Sequence, residues 1–196
     1  MDNMIYRFSY TTLNFWSSGN YEDAVKSYLG ERTIQTKEMY AGNSLHRLWE
    51  SEIKLNNKMP TIFGGKAIHG EFYTELKKTK LLKINDQISV CFVGVFDLWE
   101  EESKNARDWK TGKAISGKQS LFYNYLEPRM KRFIYHLFNQ NTQETSISIR
   151  HCNKDTFLAG QEWALSNSSE FISYLSANNI FNKDSHNKSI KLLYKA

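Results

Sequence analysis

Apolar residues recur at helical spacing in the first third of the chain and at strand spacing through its middle. "SYTTLNFW" opens with Ser9 in a capping position and is apolar at 10, 13 and 16, which predicts a short helix. A second helix is expected over "YEDAVKSYL". A third runs from Thr36 through "KEMYAGNSLHRLWESEIKL", apolar at 39, 45, 48, 49 and 53, with a break expected at Gly42 and a new cap at Asn43 or Ser44. Residues 1–58 therefore read as helical.

Past Pro60 and Gly64-Gly65 the period changes. "EFYTELKKTKLLKIND" turns at Asn-Asp into "QISVCFVGVFDLWEE", where Ile88, Val90, Phe92, Val93, Val95 and Leu98 predict a well-buried strand, and "ARDWKT" predicts a third strand ended by Gly112. A helix is expected from about Lys118 to Glu127, stopped by Pro128, and "RFIYHLF" and "SISIR" flank the turn "NQNTQ" as another strand pair. "DTFLAGQEWALSN" and "SEFISYLSANN" read as two closing helices, capped by Asp155 and by Ser168 or Ser169. The tail from Asn182 is polar, with "IKLLY" a candidate edge strand. This order predicts one α/β or α+β domain over 1–196, a central mixed sheet flanked by helices: a helical part to 58, a catalytic sheet with helices over 60–180, then the tail.

Composition narrows the chemistry. The 196 residues contain two cysteines, Cys91 and Cys152, which supply neither a disulfide framework nor an iron-sulfur site and suit a reducing compartment. No apolar run approaches a membrane span and the first residues lack a signal-peptide layout, so a soluble cytoplasmic protein is expected. A net charge of +5 favours a polyanionic partner. No phosphate-binding loop of the Gly-x-x-x-x-Gly-Lys-Ser/Thr type is present, so ATP-driven unwinding would have to come from a partner.

Candidate chemistry gathers around one hairpin. Asp97 in "GVFDLW" and Asp108 in "RDWK" fall at or near the ends of strands that the hairpin joins, so their carboxylates can converge. Converging acids repel unless a cation lies between them, and hard oxygen donors select Mg²⁺ or Mn²⁺. Period-two alternation puts Lys110 on the same strand face as Asp108. Phosphodiester hydrolysis is the reaction such a group serves best, the cation polarising a phosphoryl oxygen while the lysine orients the water.

The ordered set "GVFDLW", "DWKTGK" and "KQSLFYNYL" resembles the PD-(D/E)xK nuclease superfamily, in particular its RecB-type exonuclease branch. Gly94 and Asp97 match the Gly-x-x-Asp strand, Asp108, Lys110, Thr111 and Gly112 the Asp-x-Lys-Thr-Gly strand, and Gln119 and Tyr123 the Gln-x-x-x-Tyr helix. Upstream, "GNSLHRLWE" resembles the branch's Gly-x-x-x-His-x-x-x-Glu helix, with Gly42, His46 and Glu50, and the likeness spans about Phe8 to Tyr125. It implies a restriction-endonuclease-like core and a metal-dependent deoxyribonuclease acting on DNA ends or single strands in recombination, repair or defence. It also implies Mg²⁺ or Mn²⁺ held by His46, Asp97, Asp108 and the Trp109 carbonyl. Asp97, Asp108, Lys110, Gln119 and Tyr123 would then form the catalytic group, with the glutamine positioning Lys110 or a DNA phosphate. A helicase, a recombination protein or a second copy of the chain is the implied protein partner. Arg107 departs from the pattern, standing where the family has an aliphatic residue, and the cluster-binding cysteines of some members are missing.

Several positions carry two readings. "GKAIH" repeats the Gly-x-x-x-His spacing with Gly65 and His69, although using His69 would require "GEFYTELKK" to be helical. Glu50 either steadies His46 or faces solvent, and Glu75 is either a further acid of the site or an ordinary strand glutamate. Tyr6, Phe8, Tyr10, Phe15, Trp16, Tyr21 and Tyr28 suit stacking on bases or a core. Arg129, Lys131 and Arg132 in "EPRMKR" suit phosphate contacts or a solvated face. The whole chain also admits a non-cleaving, nuclease-like DNA-binding or assembly subunit.

Overall fold

Six strands form one mixed sheet in the computed structural model, which describes residues 4–31, 36–112 and 115–181. The tail from 182, with its candidate edge strand, lies outside the described residues. β3 (Ile88–Glu100) is the long central strand, and β2 (Phe72–Lys83) runs antiparallel along one edge of it from Ser89 to Glu100. The other edge is shared. β1 (Met4–Ser9) lies parallel to Ile88–Val93 and β4 (Asn105–Lys110) antiparallel to Leu98–Glu100, so Gly94–Asp97 fall between two partners. β5 (Arg132–Asn139) follows parallel to β4, and β6 (Glu144–His151) closes the sheet antiparallel to β5.

Helices cover both faces, which is the mixed α/β architecture that the sequence pattern predicts. α1 (Tyr10–Ser17), α2 (Tyr21–Leu29), α4 (Gly117–Leu126) and α5 (Lys154–Ala177) enclose a core that includes Tyr6, Phe8, Phe92, Phe96, Phe122, Phe133 and Phe171. α3 (Lys37–Asn56) packs on the opposite face, where Trp49 and Ile53 meet Met59, Leu98, Trp109 and Phe138.

Three local expectations are corrected. The first third is not wholly helical, because Tyr6 and Phe8 alternate inward around exposed Arg7 and pair with β3 as a strand. α3 runs unbroken through Gly42. A Cβ there would lie 2.6 Å from Thr111 Oγ1, so this glycine marks a close approach to the turn after β4 rather than a helix end. α5 is one helix, not two: Asn153 and Thr156 form its capping box, and the Ser168 hydroxyl donates to the Leu165 carbonyl in mid-helix instead of starting a new one.

α4 and α5 cross at Gly160, where a Cβ would stand 2.1 Å from the Leu121 carbonyl oxygen and 2.7 Å from its carbon. Backbone cannot step aside as a side-chain tip can. Gly160→Ala is therefore expected to destabilise by about 2 kcal/mol, the overpacking outweighing the better helix propensity of alanine. Urea denaturation measures this, and an unchanged midpoint would show that the two helices separate freely.

Candidate active site

The site forms where the second edge of β3 has no strand partner. Along β2 and β3 the inward and outward faces exchange at the facing pair Glu75 and Asp97. Phe96 and Trp99 belong to the core under α4, whereas Leu98 belongs to the core under α3; likewise Leu76 packs on the first and Phe72 on the second. The ladder passes from Thr74↔Leu98 to Leu76↔Phe96 without a bonded pair between, and Glu75 takes a left-handed φ of 52°. Non-glycine residues adopt this conformation only where surrounding contacts enforce it. The exchange turns Asp97 out of the regular pleat, toward β4 and α3.

Six expected residues converge there. Trp109 N–H donates to Asp97 Oδ2 at 2.8 Å, and Gln119 Nε2 donates to Asp108 Oδ1 at 2.9 Å. Lys110 Nζ stands 2.8 Å from Asp108 Oδ2, an ion pair without hydrogen-bond geometry, so this buried oxygen keeps lone pairs uncommitted among the described residues. His46 Nδ1 lies 3.7 Å from Asp97 Oδ2. Of the two histidines, His46 projects from α3 onto the acids, while His69 sits exposed before β2, whose residues are strand and not helix.

Electrostatics follow from this crowding. Burial, and then the neighbouring Asp108 carboxylate, push the Asp97 acid well above the ordinary range. Burial pulls His46 down and Lys110 reinforces this, against the upward pull of Asp108 and of a hydrogen bond to the Trp109 backbone; the imidazole is held neutral with a lone pair available. Glu75 is raised by burial and by Glu50, and its charge adds to the load on Asp97. Were Asp97, Asp108 and Glu75 all ionised, the site would hold more negative charge than Lys110 alone offsets.

The supporting residues have defined contacts. Gln119 donates to Asp108, which is itself the ion-pair partner of Lys110. Tyr123 donates to the Val95 carbonyl at 2.8 Å, which satisfies a backbone group on the unpaired edge and seats α4 on β3. Gly94 permits that seating, since a Cβ would come within 2.6 Å of Leu126 Cδ1 and 3.3 Å of the Tyr123 ring. Trp109 points to the α3 face, as alternation requires, and leaves its backbone at the site.

Other candidates are drawn elsewhere. The Glu50 carboxylate pairs with Lys54 and accepts from Thr74 at 3.4 Å, so it does not hold His46. Arg129 is committed to Glu127 at 2.8 Å and Glu101 at 3.0 Å, and Arg132 begins the β4–β5 ladder opposite Asn105, at the far end from Lys110. Lys131 and Arg132 are exposed there, remote from Lys110 along the ladder. Of the N-terminal aromatics, Tyr6, Phe8 and Tyr28 are buried core, Phe15 and Trp16 pack against it, and Tyr10 packs on Phe122 and Trp163. Tyr21 is half exposed.

His136, not among the candidates from sequence, lies 1% exposed behind the site with its ring 4.7 Å from that of Trp109. Its Nε2 accepts from Arg107 Nη1 at 3.0 Å, and Arg107 in turn pairs with Glu100. This explains the unusual Arg107: it serves the α3 face, away from the acids. The available signal was a single histidine inside the apolar run "RFIYHLF".

The donors suit a hard divalent cation in kind. Two carboxylates, one with an oxygen free of hydrogen bonds, stand beside a neutral imidazole and the Trp109 carbonyl. Among the described residues, no three His, Cys, Asp or Glu side chains are drawn together closely enough to form a ligand set.

No protein-family model matches the sequence, and no curated protein matches it. Solved structures do match. The crystal structure of SSO0001 superposes with a TM-score of 0.53 at 13% identity, covering 84% of this chain and 76% of that one. A candidate exonuclease from Eubacterium rectale gives a TM-score of 0.56 at 10% identity, covering 90% and 83%. LHK-Exo in complex with dAMP covers 86% and 89% at 6% identity with a TM-score of 0.45. The chain shares the fold of the SSO0001 and Eubacterium rectale structures, a mixed sheet flanked by helices.

Proposed function

We propose that this protein is a metal-dependent deoxyribonuclease that hydrolyses phosphodiester bonds at DNA ends or in single strands, as the RecB-type resemblance implies. The observation that carries this reading is the convergence of Asp97, Asp108, Lys110 and His46 at the unpaired edge of β3. His46, Asp97, Asp108 and the Trp109 carbonyl would hold Mg²⁺ or Mn²⁺. A bound divalent cation supplies charge neutralisation at the phosphate and lowers the pKa of a coordinated water. Lys110, paired with Asp108, orients the attacking water and stabilises the charge that develops on the phosphoryl oxygens. Gln119 fixes the Asp108 carboxylate, and Tyr123 fixes α4 against the strand that carries Asp97.

The test is incubation with end-labelled single-stranded, linear duplex and closed circular DNA in Mg²⁺, Mn²⁺ or EDTA. Linear DNA should be lost only with metal, circles should survive, and Lys110→Ala should slow cleavage about a hundredfold or more. A wild-type protein that binds DNA yet cuts none of these substrates would be a non-cleaving module instead.

A further inference from the structure

A cleft of about 380 Å³ opens beside the site, lined among the described residues by Gly112, Leu137, Asn139, Glu144, Thr145 and Ser146. Strand register places it. Lys110 pairs with Leu137 and Leu137 with Ser146, so three neighbouring strands present one row of side chains on one sheet face, starting at the site lysine. Asp108 heads the parallel row with Tyr135 and Ser148. Asn139 and Glu144, paired with each other, extend the cleft along the same face toward the β5–β6 turn. Gly112 leaves room at its end of the lining, since a Cβ there would meet nothing within 4 Å.

The lining specifies a type of occupant. Leu137 gives an apolar wall. Asn139 Oδ1 is taken by the Asn141 and Thr142 amides, which leaves its Nδ2 to donate; Glu144 Oε2 is taken by the Thr142 hydroxyl, which leaves Oε1 to accept. Ser146 both donates and accepts. The Glu144 carboxylate disfavours a phosphate, whereas an apolar wall with separate donors and an acceptor suits a flat neutral heterocycle. The volume falls within the range of small-molecule sites, with room for a nucleoside.

Resting on the nuclease reading, we propose that this cleft receives an unpaired nucleobase of the strand whose phosphate lies at Asp108 and Lys110. A base that enters it has left its stack and its pairing partner, so the strand at the site is single or frayed. The β5–β6 hairpin thereby selects unpaired DNA beside a phosphate site that is indifferent to sequence.

Binding in EDTA separates this from cleavage. Fluorescence anisotropy would be measured on a short single-stranded oligonucleotide carrying one tetrahydrofuran abasic residue at each position in turn. The wild type should bind about tenfold more weakly when one particular position lacks its base, the loss expected for one buried, hydrogen-bonded group. Ser146→Trp, an exposed position where the indole fills the cleft, should bind the intact strand at that weakened level and lose nothing more at the abasic position. Ile149→Ala, on the opposite face of β6, should behave as wild type. Equal binding of every abasic strand by the wild type would overturn the proposal, as would full discrimination retained by Ser146→Trp. Discrimination without cleavage in Mg²⁺ or Mn²⁺ would uphold the base cleft and overturn the nuclease reading.

Discussion

Asp108→Asn should reduce DNA cleavage by about a thousandfold or more while the protein folds and still binds DNA. Asparagine keeps the carbonyl oxygen that accepts from Gln119 Nε2, so the side chain stays in place. What disappears is the charge. Lys110 loses its ion pair, and any cation between Asp97 and position 108 loses an anionic ligand. Asp97 is relieved of the neighbour that helps push its acid upward, so folding stability at neutral pH should hold or rise. DNA affinity should hold or strengthen, because one charge that repels phosphates is gone. Cleavage rates, urea midpoints and DNA binding of the one variant check all three, and wild-type cleavage would refute the site.

The second large effect concerns acid sensitivity and originates behind the site. His136 is buried between Phe63 and Trp109, with ring centroids at 5.0 and 4.7 Å, and the Arg107 guanidinium donates to its Nε2. Burial, and then Arg107, pull the imidazole from 6.5 down to about 3. The unfolded chain takes up this proton near pH 6.5 and the folded chain does not until far lower, so the contribution is complete above pH 6.5 and lost as the pH falls. The expected loss is about 1.4 kcal/mol per pH unit, or about 2 kcal/mol between pH 6.5 and 5. His136→Leu removes the titration and leaves Arg107 paired with Glu100. The variant is expected to be less stable than wild type at pH 7, with a gap that closes by about 2 kcal/mol at pH 5. Urea titrations at the two pH values give the gap, and one that does not narrow would show that the ring is protonated without opening the core. Trp109 carries the site's backbone groups, so the acid limit of the fold is also a limit on the site.

Both results depend on the two faces of β4, and only one of those faces was legible in the sequence. Asp108 and Lys110 could be placed together because side chains two apart on a strand share a face, a property of the backbone that needs no partner. The same local rules gave the Ser9 cap of α1, the end of α4 before Pro128, and the strand pair around "NQNTQ". They failed where tertiary contact overrides local preference. Gly42 looked like a helix break and is a contact point with Thr111; Ser168 looked like a cap and lies inside α5.

Sequence by itself determined the order and type of most elements and the residues that carry the candidate chemistry, because these follow from side-chain period, capping and residue type. Only the tertiary structure decided which histidine meets the acids, that Gln119 holds Asp108, that Arg129 is consumed by Glu127 and Glu101, and that Arg107 serves His136. Each of these is a pairing between groups distant in the chain or a contest between possible partners. It is settled by the exchange of faces at Glu75 and Asp97 and by the helices laid over the sheet, neither of which a local pattern encodes.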